Sequence, residues 1–338
     1  MEATWRVQPC WRNCCCSSGV RAISARRLGI GACIRGWSVV AGSVDRTMRA
    51  EGKARSVAAE AWRADNGRMS NGTRQPIVYP PHTKVDLRKF DPAATNGMTR
   101  EEAEAEIVGL RLRLNELQNV LYADARYGLL VVLQGIDAAG KDSTINSVFE
   151  QVGPIGCSVV SFKAPTPEEL AHDYLWRYHK VMPERGHITI FNRSYYEAVL
   201  VERVKEIVPK TTWEQRYEDI NRLEEYLLRN GTVVMKFFLA ISKEEQRERL
   251  QERIDNPKKQ WKFRLQDLEE RKYWDAYLEA FEDMLERCNT KHAPWHVVPA
   301  NRKWYRDVVV ARALVEKLES LGLRYPPADP AVLGLKVE

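Results

Sequence analysis

The stretch VLQGIDAAGKDSTINSVF, residues Val132–Phe149, determines which fold the rest of the sequence must complete. It begins inside the apolar run LLVVLQ, Leu129–Gln134, which is typical of a strand buried on both faces of a parallel sheet. The run leads into Gly135-x-x-x-x-Gly140-Lys141, the spacing of a phosphate-binding loop between a strand and a helix. In such a loop the backbone amides and the helix N-terminus bind phosphate, and the lysine adds a mobile charge. The sequence therefore predicts phosphate or nucleotide binding, and a glycine-rich turn with an incidental lysine is the alternative.

Two acidic residues distinguish this loop from an ordinary nucleotide-binding loop. Asp142 directly follows Lys141, where Ser or Thr would normally hold a magnesium ion, and Ser143 comes one position late. Asp137 is an additional carboxylate inside the loop, for which we consider two roles, sharing a magnesium ion and aligning an attacking phosphate oxygen. We interpret Asp142 as an acid at the start of a helix, where the helix dipole favours it. The residues expected to surround the phosphate are Gly135, Ala138, Ala139, Gly140, Asp142 and Ser143.

Strands and helices alternate along the rest of the chain. The apolar periodicity predicts helices beginning near Thr99 and over Thr166–Lys180, Trp213–Arg229 and about Tyr305–Leu321, with another that starts at Ser242. The alternation predicts an α/β fold with a doubly wound parallel sheet, whose ligands bind at the carboxyl ends of the strands. The further predicted strands are Cys157–Phe162, His187–Asn192, Thr232–Ile241 and Trp295–Ala300.

The composition argues against several other classes of protein. Lys and Arg number 52 against 46 Asp and Glu, and this mild excess of +6 is what a solvated surface gives. No apolar run reaches the ~18 residues of a membrane span, so we expect no membrane partner. After residue 68 the only cysteines are Cys157 and Cys288, which indicates a reduced, cytoplasmic protein.

Residues 1–68 differ in composition from the rest. They are rich in Arg, Ala, Ser, Gly and Trp, and the only acids before residue 51 are Glu2 and Asp45. A transit peptide would be basic and acid-poor, so organelle targeting is one interpretation. The cysteine and tryptophan content instead favours an over-extended start, with Met48 or Met69 as the initiator. We expect a disordered or spurious extension and exclude it from the fold.

The sequence IFNRSYYEAVLVERV, Ile190–Val204, ends the third predicted strand at the same sheet edge as the loop. An ordinary nucleotide hydrolase has a metal-holding Asp there, whereas this chain has Asn192 followed by Arg193. Glu197, about one turn further on, is a candidate for the missing carboxylate. Arg193 has the geometry to bind a phosphoryl group through two donors, and a surface ion pair is the alternative.

A second basic segment, Arg247–Phe281, has its cations around a proline. A basic helical hairpin at this position suits a lid that closes over phosphates and excludes water, so we predict a lid at about residues 247–290. A solvated helix pair and a nucleic-acid surface are the alternatives, but the bases alternate with many acids, so we expect no nucleic-acid partner. The cations of the segment are Arg247, Arg249, Arg253, Lys258, Lys259, Lys262 and Arg264.

These motifs together resemble the polyphosphate kinase 2 family. The resemblance covers residues 79–326 and implies a thymidylate-kinase-like P-loop domain with a helical lid. The FNRS motif, with Asn192, resembles the branch of the family that uses AMP as well as ADP. Ser143, Ala240 and the turn Gly153–Gly156 depart from the usual pattern, which has Gly, His and an Asn-Pro-Gln-Gly-like turn there. The matching motifs are LQGIDAAGKDST, SFKAPTPEELAHDYLWRYHK, IFNRSYYEAVLVERV, GTVVMKFFLAISKEEQ, RIDNPKKQWKFRLQDLEERKYWDAY and APWHVVPANRKWYR.

The resemblance implies transfer of a phosphoryl group between inorganic polyphosphate and AMP or ADP, giving ADP or ATP, with Mg²⁺ as cofactor and Mn²⁺ as the alternative. Guanine nucleotides are alternative acceptors, and a homo-oligomer, dimer or tetramer, is expected. Asp137 would hold the metal with Glu197 or Asn192, and Lys163 is implied to bind phosphate. The basic residues Lys258, Lys259, Lys262 and Arg264 would bind the polyphosphate chain. An ATP-dependent nucleoside monophosphate kinase and a non-catalytic nucleotide sensor remain the rival functions. The residues implied to be catalytic are Asp137, Lys141, Asn192, Arg193 and Arg253.

Overall fold

A six-stranded sheet forms the centre of the protein in the computed structural model, which describes residues 75–337. Its order is β1-β6-β5-β2-β4-β3, and all neighbours are parallel except β1, which pairs antiparallel with β6. The predicted parallel sheet is confirmed, and the short strand β1 was not predicted. The strands are β1 (Ile77–Val78), β2 (Gly128–Gln134), β3 (Cys157–Ser161), β4 (Ile188–Asn192), β5 (Thr232–Ala240) and β6 (Trp295–Pro299).

Helices cover both faces of the sheet, as the doubly wound prediction requires. Alternate residues of β2 explain why: Leu129 and Val131 pack in one apolar core, and Leu130 and Val132 pack in the other. Both faces of this strand are buried, so its sequence is a continuous apolar run. The helices are α1 (Arg100–Asp124), α2 (Lys141–Val148), α3 (Pro167–Leu170), α4 (Trp176–His179), α5 (Val201–Val204), α6 (Lys210–Arg229), α7 (Lys243–Asp255), α8 (Leu265–Glu270), α9 (Trp274–Arg287) and α10 (Lys303–Ser320).

The prediction of one continuous helix over Thr166–Lys180 is wrong, because the structure has the two short helices α3 and α4 there. Thr166 caps α3 in a capping box with Glu169, as the local sequence favours. The chain then turns at Asp173, whose carboxylate accepts from the Leu175 amide at 3.0 Å. Because Asp side chains compete with helical hydrogen bonds in this way, the helix ends and starts again.

A buried ion pair fixes the segment that follows β4. The Lys236 ammonium donates to the Glu224 carboxylate at 2.7 Å and to the Cys288 carbonyl at 2.7 Å. The hydroxyls of Tyr195 and Tyr196 donate to the other Glu224 oxygen at 2.9 and 2.8 Å. Removing two charges from water is costly unless their hydrogen bonds are satisfied within the protein, as they are here. The network therefore holds the chain immediately after Arg193 in one place.

The predictions made for residues 1–68 lie outside the described residues. Among the helices between residues 75 and 337, none combines the length and the apolar character needed to cross a membrane.

Candidate active site

The glycine-rich loop lies at the carboxyl edge of the sheet, between β2 and α2, as predicted. Leu133 of β2 pairs with Asn192 of β4, which places the end of β4 beside the loop. The backbone turns at Ala138 and Gly140 through the left-handed region, with φ of 65° and 104°. Gly140 tolerates this conformation because it has no Cβ, and it forms the N-cap of α2.

The Lys141 side chain is buried beneath the loop. Its ammonium donates to the carbonyl of Gly135 at 2.7 Å and to that of Ile136 at 3.3 Å. Burial and, to a lesser degree, the neighbouring charge of Arg193 lower the pKa of Lys141 to about 8, against the opposing effect of Asp137. The lysine is therefore close to half-protonated near pH 8.

Arg193 joins the two carboxylates that the sequence analysis assigned to a metal. Its guanidinium contacts the Asp137 carboxylate, and it lies 3.2 Å from a Glu197 oxygen. The charges of Glu197 and Asp137 raise the pKa of Arg193, so it stays cationic. Burial acts to raise the pKa of Asp137, but the charges of Arg193, Lys141 and Arg253 outweigh it and hold that pKa below its usual value. Asp137 is therefore a carboxylate in the free protein.

Asn192 and Asp142 also meet, although the sequence analysis did not connect them. The Asn192 amide donates to the Asp142 carboxylate, which lies in the first turn of α2. Asp142 is thus both the helix-start acid that was predicted and the residue that orients Asn192. Ser143 is exposed, and its hydroxyl donates to the Gly140 carbonyl at 2.9 Å.

The other basic residues singled out from the sequence lie in two kinds of environment. Arg253 lies 3.4 Å from the carboxylate of Asp267, a residue that the sequence analysis missed. Burial and the nearby charge of Asp137 raise the pKa of Asp267, a residue of the predicted lid. Lys163, Lys258 and Lys262 are instead exposed side chains.

Two further residues that contact the loop, Gln246 and Arg249, belong to α7. Their side chains donate to carbonyl groups of Asp137, Ala138 and Ala139. In the sequence Arg249 is one of several similar lid cations, so its contact with the loop could only be found once the register of α7 was known.

The carboxylates at this edge fit a magnesium ion whose coordination substrate phosphates would complete. Within residues 75–337, no group of three or more His, Cys, Asp or Glu side chains is arranged to hold a metal. Mg²⁺ is normally bound through one or two carboxylates together with substrate phosphates. Asp137 and Glu197, both in contact with Arg193, would supply that number of protein ligands.

Comparisons with known proteins identify the family. A family model described as Polyphosphate kinase 2 matches residues 97–324. The chain is 48% identical over 260 residues to the AMP/ADP-polyphosphate phosphotransferase of Meiothermus ruber, covering 76% of this chain and 97% of that protein. It is 44% identical over 261 residues to the ADP-polyphosphate phosphotransferase of Rhodopseudomonas palustris, covering 73% and 90%.

A solved structure gives the same answer. The crystal structure of Polyphosphate Kinase 2 from Arthrobacter aurescens TC1 superposes with a TM-score of 0.71 and 39% sequence identity, covering 75% of this chain and 95% of that one. The family match spans the glycine-rich loop and all the parallel strands of the sheet. The protein is a member of the polyphosphate kinase 2 family.

Proposed function

We propose that this protein transfers a phosphoryl group between inorganic polyphosphate and AMP or ADP, with Mg²⁺ as cofactor. The observation that carries the proposal is the convergence of Lys141, Arg193 and Asp137 on one glycine-rich loop. Lysine, arginine and loop amides bind phosphate, and an added carboxylate suits a metal between two phosphate groups. The names of the two bacterial relatives give the donor and the acceptors.

The chain's own residues account for the chemistry through positioning and charge. Phosphoryl transfer needs aligned donor and acceptor oxygens and neutralised charge more than covalent participation by the protein. Lys141 and the loop amides would hold the phosphates at the transfer point, while Arg193 and Arg253 would stabilise the charge that develops in transfer. A bound Mg²⁺, held by Asp137 with Glu197 or Asn192, would neutralise phosphate oxygens. The acceptor is itself an anionic phosphate, so no general base is required.

The exposed lysines extend the proposal to the polymer. Lys258 and Lys262 lie on the lid segment between α7 and α8, and Lys163 follows β3. We propose that they bind the polyphosphate chain beyond the transferred group, through charge that salt would screen. Action in the cytoplasm, assembly into a homo-oligomer and use of guanine nucleotides are part of the same proposal.

The direct test is an assay of AMP with long-chain polyphosphate and Mg²⁺ in the absence of ATP. We expect ADP and then ATP to form, detected by chromatography. A parallel reaction that replaces polyphosphate with ATP tests the rival, an ATP-dependent monophosphate kinase. Turnover in the ATP reaction alone, with none from polyphosphate, would overturn the proposal.

The pH dependence of polyphosphate use should report Lys141. Because the pKa of Lys141 is lowered from 10.5 to about 8, the free enzyme loses this charge as pH rises through about 8. We therefore expect kcat/KM for polyphosphate to fall tenfold for each pH unit above about pH 8. In Lys141→Arg the side chain stays charged, so the residual activity should lack this limb. An identical alkaline limb in both proteins would assign it to the substrate or to another group.

The same shift has the opposite effect on folding. Between about pH 8 and pH 10.5 the unfolded chain keeps the Lys141 proton that the folded protein has lost. The unfolded state therefore binds more protons, and the contribution of Lys141 to the free energy of unfolding rises with pH across that window.

A further inference from the structure

The first helix of the predicted lid is bonded directly to the back of the phosphate loop. The Gln246 amide of α7 donates to the Asp137 carbonyl at 3.0 Å. One Arg249 nitrogen donates to the carbonyls of both Ala138 and Ala139 at 2.9 Å. Three consecutive loop carbonyls are thus held by two side chains from one helix turn.

Arg249 has no hydrogen-bonding capacity left for a substrate. Its second terminal nitrogen donates to the Ala300 carbonyl at 2.6 Å and to the Asn301 carbonyl at 3.1 Å, and its Nε donates to Glu245 at 2.7 Å. The five N–H groups of a guanidinium are fixed in one plane, so this set of acceptors determines its position. The side chain is also buried, with 7% of its surface exposed. Arg249 therefore acts on the loop and not on the polymer.

Holding these carbonyls sets the direction of the loop amides. In a trans peptide the C=O and the following N–H point in opposite directions, and the described chain contains no cis peptide bond. Fixing the Asp137 carbonyl towards α7 turns the Ala138 N–H away from it, and fixing the Ala139 carbonyl does the same for the Gly140 N–H. Neither N–H donates to another backbone group in the described chain, whereas the Ala139 N–H donates to the Ile136 carbonyl at 3.0 Å. Two amides are left free on the side away from α7.

The contact also continues into the lid. Arg271, which follows α8, donates to the Gln246 side-chain oxygen at 2.7 Å and to the Lys243 carbonyl at 3.1 Å. The Gln246 amide group therefore connects the returning end of the lid to the carbonyl of Asp137. A movement of the lid that shifts Arg271 would be transmitted to the peptide carrying the loop carboxylate.

We propose that Gln246 and Arg249 are positioning residues for phosphoryl transfer: they orient the Ala138 and Gly140 amides towards the phosphates and couple the lid to the loop. The proposal rests on the proposed function for the reaction that is assayed. It assigns a role to residues whose side chains donate to the loop backbone.

The experiment compares two α7 variants with matched controls on the same helix. Gln246→Leu and Arg249→Met remove the donors but keep similar volume. Gln251→Leu and Arg247→Met make the same changes at exposed side chains, one bonded to Asp255 and the other paired with Glu244. We expect kcat to fall about 10- to 100-fold in the first pair, below the loss from deleting an oxyanion donor outright. KM for AMP should change less than threefold, and the controls should keep wild-type kcat.

A second set of measurements separates positioning from loss of structure. Circular dichroism and active-site titration give the folded fraction, and kcat is expressed per folded enzyme. Arg249→Lys should recover only part of the activity, because an ammonium cannot reach all four carbonyls. If Arg249→Met does not fold, Gln246→Leu decides, since it loses one bond to the loop and one to Arg271. Wild-type kcat in folded Gln246→Leu would overturn the proposal, as would equal losses in the controls.

Calorimetric binding of pyrophosphate distinguishes this failure from failure of the proposed function. It requires no turnover, and we expect weaker binding to Gln246→Leu than to the wild type. If the wild type binds pyrophosphate but transfers nothing from polyphosphate, the proposed function is wrong. The orientation of the amides is then decided by the binding result alone: equal binding to Gln246→Leu and the wild type would contradict it.

Discussion

Replacing Lys141 with methionine should lower kcat for phosphoryl transfer by about 10³-fold or more, the upper end of what deletion of one charged or oxyanion donor costs. Methionine keeps the length and much of the volume of the side chain but removes the charge beneath the loop. The methionine side chain also cannot donate to the two carbonyls, Gly135 and Ile136, that the ammonium contacts. The measurement is initial velocity with saturating AMP and polyphosphate.

The same variant should be at least as stable as the wild type. Burial lowers the pKa of Lys141 to about 8, so at neutral pH the folded protein holds a charge that its surroundings disfavour. Thermal unfolding at pH 7 is therefore expected to give an equal or higher Tm for Lys141→Met. Lys210→Met is the control, because Lys210 is exposed on α6 and should change neither quantity. Full turnover by Lys141→Met would remove this lysine from the site.

Gly140→Ala should disrupt both the loop and the fold. A Cβ at this position would lie 2.1 Å from a terminal nitrogen of Arg306, inside any real contact distance. Arg306 is fully buried, and its Nε donates to Asp307 at 2.8 Å, so it has little room to move. The backbone φ of 104° adds strain for any residue with a Cβ. Left-handed strain and overpacking each cost about 1–3 kcal/mol, so we expect a loss of about 2–6 kcal/mol in the free energy of unfolding.

Chemical denaturation of Gly140→Ala measures this loss, and the polyphosphate assay should show strongly reduced kcat in the fraction that folds. Gly153→Ala is the matched control, because a Cβ there meets nothing within 4 Å. If both substitutions have equal effects, the close approach of Arg306 to the loop does not constrain the protein.

The sequence was most informative where burial leaves a simple pattern. The run at Leu129–Gln134 is apolar throughout because helices cover both faces of β2, so both the strand and its parallel neighbours could be predicted. The two-residue strand β1, Ile77–Val78, is too short to produce any period. The break between α3 and α4 depends on one turn at Asp173, which competes with a helical pattern on either side.

The sequence identifies only some residues of the site. Residue type and spacing place Lys141, Asn192 and Arg193 at one sheet edge, and the structure brings them there. They cannot show which of several arginines on α7 faces inward. Arg247 is largely exposed while Arg249 is buried against the loop, and only the rotation of the helix distinguishes the two. The pairing of Asn192 with Asp142 likewise depends on a contact between distant segments.

The position of β2 in the sheet limits how early the protein can fold during its synthesis. Leu133, just before the phosphate loop, pairs with Asn192 on one side and with Phe237 on the other. Both partners emerge from the ribosome long after the loop itself, and contacts of such large sequence separation form slowly. The loop and β2 therefore cannot complete their strand pairing, and the apolar residues of β2 stay exposed, until β5 has been synthesised. Chains that stop before Ala240 are expected to lack a binding site and to be substrates for chaperones or proteases.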